Sequence, residues 1–429
     1  MAISSSRGVS TAHQIFITAA LVWMLVQTQA SAQGSTPFTT TSISLAQALD
    51  LAWQRQPAAI TAPSKAQEIA ARQQAAGSLL AGSPAVSLVH RTDRLTGNGG
   101  LREIEAELGL PLWNAGTRRA TQRQLDAELR GLEPAQLAAK LQLAGQLREA
   151  AGAIALAQLE RELAQQKLHE SVQLSNDTAR RLRAGDVARL DTLQSQLAQA
   201  QAQAALNTAQ AQLQQAQVQW QGLTGTMRMP MLSDAAPAIS SVSSSVTSTS
   251  TLPDSHPNLL VAQAHLDTSK AKLRLAEADR ADPMDLSVGV SRERSAFGNV
   301  AERNLRLALR IPLSTSSRNA PRIAAARAEL DVAQTELDHQ RRLLSNELEQ
   351  AHAALSLARA NEQATQQRLS IAQQVHEIVL RAYNLGERDL PTRLRADSEK
   401  FEAELTHARA QLETRRAFSK LQQQLGLLP

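Results

Sequence analysis

Two hydrophobic periods divide the chain. Over Leu101 to Leu112 the period is two: Ile104, Ala106, Leu108 and Leu110 alternate with Glu103, Glu105, Glu107 and Gly109. That is the pattern of a strand with one apolar face. A partner strand, about Pro84 to Asp93, is less regular, with Val86 and Leu88 set against Ser87 and Arg91. Thr96-Gly97-Asn98-Gly99-Gly100 supplies the turn between them. A second hairpin follows the same plan. Met284, Leu286, Val288 and Val290 alternate with Asp285, Ser287, Gly289 and Ser291, and Leu305, Leu307, Leu309 and Ile311 alternate with Asn304, Arg306, Ala308 and Arg310. Each strand runs roughly nine to eleven residues, the length a tilted strand needs to cross a bilayer. One apolar and one charged face fit lipid outside and water inside. On that reading Glu103, Glu105, Glu107, Arg306 and Arg310 face a barrel lumen and can pair across strands. A soluble sheet would alternate in the same way, but two hairpins in an otherwise helical chain make a poor core.

The remaining chain reads as helix. Ser44 caps a first helix whose apolar positions are Leu45, Ala48, Leu49 and Ala52. Pro57 and Pro63 are expected to interrupt it, with helix resuming at Ser64 and stopping before Gly82-Ser83-Pro84. A very long run follows each hairpin, about Thr117 to Ala184 and about Arg318 to Leu385. At 1.5 Å per residue each reaches roughly 100 Å. Gly131-Leu132-Glu133-Pro134 is expected to bend the first. Each run reverses at a glycine, Gly185 or Gly386, suited to the left-handed position that ends a helix. Shorter helices return over about Ala188 to Gly222 and Leu390 to Leu425. They are rich in Ala and Gln, with leucines at three-four spacing giving a narrow apolar seam. Such helices suit a thin tube wetted on both sides, or a coiled-coil rod; only the hairpins separate the two readings.

The two patterns recur in one order at an offset of about 200 residues. Gln56-Pro57 returns as His256-Pro257, Leu110-Pro111-Leu112 as Ile311-Pro312-Leu313, and Arg183-Ala184-Gly185-Asp186 as Asn384-Leu385-Gly386-Glu387. The chain therefore divides into a leader (residues 1–32), a first repeat (33–232), a linker (233–256) and a second repeat (257–429). In the leader, Arg7 and His13 precede an apolar run from Ile15 to Val26, and Ala30-Ser31-Ala32 supplies small residues for cleavage, as in a secretory signal peptide. In the linker, Ser240 to Ser250 contains only Ser, Thr and Val, with no drive to form a core.

Composition narrows the function. No later stretch is apolar and long enough for a transmembrane helix, so any membrane contact must come through a β-barrel. Cysteine is absent, which removes disulfides, thiolate metal sites and a lipid-anchoring thiol. The formal charge is +5, and loss of the leader removes only Arg7 and leaves +4. Acidic and basic residues interleave along the helices, unlike the clustered basic face of a nucleic-acid binder. One tyrosine in the whole chain disfavours a base-stacking platform. No catalytic, cofactor or metal constellation emerges. Glu349-Gln350-Ala351-His352 is half of a di-iron carboxylate motif without a second half. The turn at Gly97 to Gly100 is not followed by a helix, as a phosphate loop would be. The chain reads as a conduit and not an enzyme.

The signal peptide, the two copies of helix, hairpin, long helix, glycine and returning helix, and the prolines Pro111 and Pro312 at the second strand of each hairpin resemble the TolC family of outer-membrane efflux ducts. The resemblance covers Ser42 to Leu428. It implies a mainly α fold with a small β part: a homotrimer with a twelve-stranded outer-membrane β-barrel, continued by an α-helical barrel through the periplasm. It places the segments near Gln33 to Ser44 and Ser233 to His256 in an equatorial belt. It implies a passive exit duct in outer-membrane lipid, coupled through a periplasmic adaptor to an inner-membrane pump of the RND type. The gate residues it implies are Asp191, Tyr383 and Arg388, beside the tip turns Gly185 and Gly386. The acidic pair that some members carry on the second returning helix is replaced by Thr392 and Arg395, so a cation-binding ring there is not expected. Leu309-Arg310-Ile311-Pro312-Leu313, followed by Arg318-Asn319-Ala320-Pro321-Arg322, is similar to the CzcC-type branch, which implies divalent heavy-metal cations as cargo. The alternative is a periplasmic adaptor or coiled-coil scaffold without a pore. An adaptor would carry one helical hairpin beside β-rich domains, whereas this chain has two.

Overall fold

The computed structural model describes residues 42–231, 251–313 and 316–429. The leader reading lies wholly outside these residues, and the linker reading for the most part. The described chain builds α1 (Leu45–Trp53), α2 (Pro57–Gly77), β1 (Ala85–Thr92), β2 (Arg102–Leu112), α3 (Thr117–Arg130), α4 (Leu132–Ala184) and α5 (Arg189–Thr224). The second repeat builds α6 (Pro257–Ala278), β3 (Met284–Arg294), β4 (Glu302–Arg310), α7 (Ser316–Asn384) and α8 (Leu390–Gln424). No helix among the described residues is long and apolar enough to cross a membrane.

Local chemistry sets the ends of these elements. Ser44 and Gln47 form a reciprocal capping box at α1: the Ser44 hydroxyl accepts from the Gln47 amide at 3.1 Å, and the Ser44 amide donates to the Gln47 side chain at 3.3 Å. Pro57 opens α2 at its first position, where no amide donor is needed. Contrary to the sequence expectation, helix does not wait for Ser64 but runs through Pro63. One lost ladder bond is tolerated in an exposed helix whose lone buried positions are Ile69 and Ala76. Gly131 separates α3 from α4, and Pro134 sits in the first turn of α4. α7 is continuous for 69 residues, about 100 Å.

The two hairpins form one four-stranded antiparallel sheet in the order β1-β2-β3-β4. The central β2–β3 ladder joins the repeats, from Arg102 opposite Arg294 to Leu112 opposite Met284. Pro111 lies within β2, whereas β4 ends at Arg310, before Pro312.

Helix packing is divided among small clusters. In the first repeat Leu45, Leu49 and Ala52 of α1 meet Leu143, Leu147 and Ile154 of α4 and Leu213 and Trp220 of α5. The Trp220 indole donates to the Arg228 carbonyl at 2.8 Å. In the second repeat Leu348 and Leu355 of α7 meet Phe418 and Leu421 of α8. Leu259 and Leu266 of α6 meet Leu337 and Leu344 of α7. Ala is frequent in these seams and lets the helix backbones approach closely.

The α4 and α8 helices hold the repeats together with polar contacts. Arg409 pairs with Glu160 at 2.6 Å and Arg416 with Glu149 at 2.7 Å. Gly145 and Gly152 leave room for the Gln423 and Arg416 side chains, which a Cβ at either glycine would meet at 3.1 Å. Arg148 donates to Gln423 and to the Leu427 carbonyl. Burial pulls its guanidinium down to about 10, still charged at neutral pH. Arg148→Ala would remove both hydrogen bonds and should lower stability by about 1 kcal/mol in urea denaturation.

His256 caps α6: its Nδ1 accepts the Asn258 amide at 3.2 Å, and its Nε2 is buried without a hydrogen-bond partner among the described residues. Burial lowers its pKa. The unfolded chain therefore takes up this proton first, and stability should fall as pH drops below about 6.5. His256→Asn keeps a capping acceptor and removes the titration. Its thermal midpoint should depend less on pH between 7.5 and 5.5 than that of the parent.

Candidate functional site

The sheet exposes the face that a soluble protein would bury. Leu88, Leu305 and Leu307 are 77%, 78% and 72% exposed. On the other face Ser287 and Gly289 are buried, and the Glu103 and Glu105 side chains are 22% and 17% exposed. Register explains the sorting. Val86, Leu108 and Val288 stand side by side across β1, β2 and β3, as do Leu88, Ala106 and Val290. Leu286 and Val288 extend the same face onto Leu309 and Leu307 of β4.

The five charged strand residues singled out from the sequence fall on the opposite face. Arg306 lies opposite Gly289, which lies opposite Glu107. Because Gly289 has no side chain, the Arg306 guanidinium crosses it and reaches Glu105 at 3.1 Å. Arg91 approaches Glu103 at 3.9 Å. Arg310 lies opposite Asp285 at the helical end of the sheet.

At the other end of the long helices the two turns share one construction. Gly185 has φ +82° and Gly386 has φ +78°. The next amide closes a wider bond in each case, Asp186 to the Arg181 carbonyl and Glu387 to the Ala382 carbonyl, both at 2.9 Å. Asp389 caps α8 by accepting the Thr392 amide at 3.2 Å. The Thr392 side chain and then its amide hold the Asp389 carboxyl below the usual range. Asp191 occupies the first turn of α5, where a carboxylate suits the helix dipole.

The structure buries Tyr383, with 7% exposure, against Leu174 of α4 and Leu390 and Leu394 of α8. The Arg393 and Arg181 guanidiniums lie 4.8 and 5.5 Å from its ring centre. Arg388 is exposed in the turn. Among the described residues no hydrogen bond joins Asp191 to Tyr383, or Arg388 to the first tip. A polar cluster that the sequence reading missed lies nearby. His376 bonds Asp397 at 2.8 Å, Arg393 approaches Asp397 at 3.8 Å, and Lys400 approaches Glu170 of α4 at 3.6 Å. The Arg393–Asp397 spacing of four was readable along α8; the partners on α4 and α7 were not.

Among the described residues no group of three or more acidic or histidine side chains is placed to hold a metal ion. Glu349 and His352 lie on α7. The two regions thus offer no reacting constellation. They offer a sheet with one apolar and one charged face, and a pair of helical tips cross-linked by charge.

Comparison with known proteins follows these features. Residues 250–427, which span nearly all of the second repeat, match the family described as outer membrane efflux protein. No curated protein sequence matches the chain. Among solved structures, the outer membrane protein VceC from Vibrio cholerae aligns with TM-score 0.69 and 15% identity, over 89% of this chain and 96% of that one. CusC aligns with TM-score 0.71 and 17% identity, over 90% and 92%. The open-state MtrE outer membrane channel of Neisseria gonorrhoeae aligns with TM-score 0.67 and 17% identity, over 89% and 88%. The second repeat thus matches the outer membrane efflux protein family, and the chain shares the fold of these outer membrane channels along nearly its whole length.

Proposed function

We propose that this protein is the exit duct of a tripartite efflux system, working as a homotrimer. The observation that carries this reading is the inverted sheet. Its apolar side chains face outward, and its outer strands β1 and β4 have no further strand beside them among the described residues. In hydrocarbon every backbone donor and acceptor needs a partner, so such a sheet must close. Three copies joined β4 to β1 give twelve strands with the apolar face to lipid. Glu103, Glu105, Glu107, Arg306 and Arg310 then line the lumen, where pairs such as Glu105–Arg306 keep a wetted wall.

The helices continue the conduit through the periplasm to tips at Gly185 and Gly386. The duct is passive, and an inner-membrane pump of the RND type drives transport through a periplasmic adaptor that docks at the tips. Asp191, Tyr383 and Arg388 form the gate in this reading. The ring of Tyr383 fixes one tip against Leu174 of α4 and between two guanidiniums, while Asp191 and Arg388 offer polar contacts between tips. One such contact is worth about 1 kcal/mol; repeated in three copies it biases the closed state about a hundredfold, small enough for an adaptor to reverse. For cargo we propose divalent heavy-metal cations, on the similarity of the segments at Leu309–Leu313 and Arg318–Arg322 to the CzcC-type branch.

Planar-bilayer recording of the purified trimer tests the duct and its gate. The parent should open rarely, and Asp191→Ala, Tyr383→Phe or Arg388→Ser should raise mean conductance several-fold; unchanged conductance in all three would remove the gate assignment. A protein that fractionates as soluble and conducts nothing would leave the adaptor or scaffold reading. Cargo is tested separately. Deleting the gene in its host should increase sensitivity to zinc, cobalt or cadmium, and equal sensitivity to all three would exclude the proposed cargo.

A further inference from the structure

The outward face of the sheet changes character near the hairpin turns. From Met284 to Val290 its β3 positions are apolar, a span of about 20 Å along the strand. The next outward positions on β3 are Arg292 and Arg294. The register sets Arg292 directly opposite Arg303 of β4, and Arg294 directly opposite Arg102 of β2. Four arginines therefore share one face in two successive rows, Arg292 with Arg303 and, two residues nearer the turns, Arg294 with Arg102. Arg294 is engaged locally, donating to the Gly100 carbonyl at 3.4 Å and lying 5.7 Å from the Phe297 ring. Arg102, Arg292 and Arg303 are exposed and have no carboxylate partner among the described residues. The glutamates between these two rows, Glu103, Glu293 and Glu302, belong to the opposite face.

Like charges placed directly across strands repel. A row of guanidiniums beside an apolar band is also costly within hydrocarbon, and the cost falls toward zero at the interface. Both facts are resolved by an anion at the membrane surface. Guanidinium forks bind phosphate through paired hydrogen bonds and are less strongly hydrated than ammonium groups. A shallow groove on this face has Ala106, Val290 and Leu305 in one row and Ile104, Arg292 and Arg303 in the next row toward the turns. Its shape is amphipathic: an apolar trough that ends in two cations.

We propose that this groove binds an acylated, phosphate-bearing glycolipid, with an acyl chain along Ile104, Val290 and Leu305 and a phosphate between Arg292 and Arg303. The inference rests on the outer-membrane duct reading, since the helices run into the periplasm and the hairpin turns therefore face the exterior. The outer leaflet on that side displays phosphorylated, acylated sugars. Arginines replace the aromatic girdle usual at a barrel rim. The helical end of the same sheet differs, with Trp113 immediately after β2 and donating its indole to the Ser78 carbonyl at 3.1 Å.

The test uses the full-length protein purified from vesicles of stated composition, with retained lipid counted by native mass spectrometry. Vesicles contain phosphatidylcholine with bis-phosphorylated lipid A, monophosphoryl lipid A or phosphatidylglycerol. The parent should retain bis-phosphorylated lipid A, and retention should fall about tenfold in Arg292→Gln/Arg303→Gln and less in Arg292→Lys/Arg303→Lys. Monophosphoryl lipid A should bind more weakly than the bis-phosphorylated form. Equal retention by parent and glutamine variant, or equal retention of phosphatidylcholine, would overturn the site. Equal retention of phosphatidylglycerol would overturn the glycolipid assignment, because a generic anionic lipid would then suffice. Bilayer conductance of the same preparations separates the two readings: channels that conduct but retain no lipid A defeat this proposal alone.

Discussion

A peptide group in hydrocarbon has no partner except another peptide group, and in the proposed duct this constraint organises the molecule. It explains why the chain confines its membrane-suited surface to four strands whose ladders run unbroken from β1 to β4. It also explains why the two hairpins, encoded far apart, must be neighbours: each alone would present two bare edges. The β2–β3 ladder removes two of those edges within one chain. The helices meet their own backbone needs, which frees their side chains for a thin wall in water. In the duct reading, the two materials of the fold follow from the two solvents it would meet.

The helical part has no single deep core. Its buried residues lie in separate seams, such as the α1–α4–α5 cluster around Trp220 and the α7–α8 cluster around Leu421. Between α4 and α8 the repeats are joined in part by ion pairs such as Glu160–Arg409 and Glu149–Arg416. Exposed pairs of this kind each contribute about 0–1 kcal/mol. They fix the alignment of long helices more than they hold them together. Side chains that would clash in a tighter seam are given space by Gly145 and Gly152.

Legibility in the sequence tracked locality. The alternation around Ile104 to Leu110 was visible because a strand with one apolar face repeats every second residue. The tip turns were visible because Gly185 and Gly386 both need positive φ. The passage of α2 through Pro63 was not, since the sequence does not say that one missing bond in an exposed helix is affordable. Nor was the setting of Tyr383. Its place in the second hairpin could be read, but its contacts with Leu174 and Arg181 come from the first repeat. The arginines of the outer face lay in plain sight, yet only the pairings of Arg292 with Arg303 and of Arg294 with Arg102 showed that they stand in rows.

The β2–β3 ladder has a kinetic consequence. It pairs residues about 170 or more positions apart in the chain, Leu112 with Met284 being the nearest in sequence. Contacts of such separation form late, because a long loop must close before any pairing energy is recovered. The helical hairpins, α4 with α5 and α7 with α8, close locally and are expected to form first. Until the second repeat has been synthesised, the first hairpin keeps an apolar face and an unpaired edge open to solvent. A chain of this design therefore passes through an aggregation-prone intermediate in which β1 and β2 stand exposed until β3 arrives.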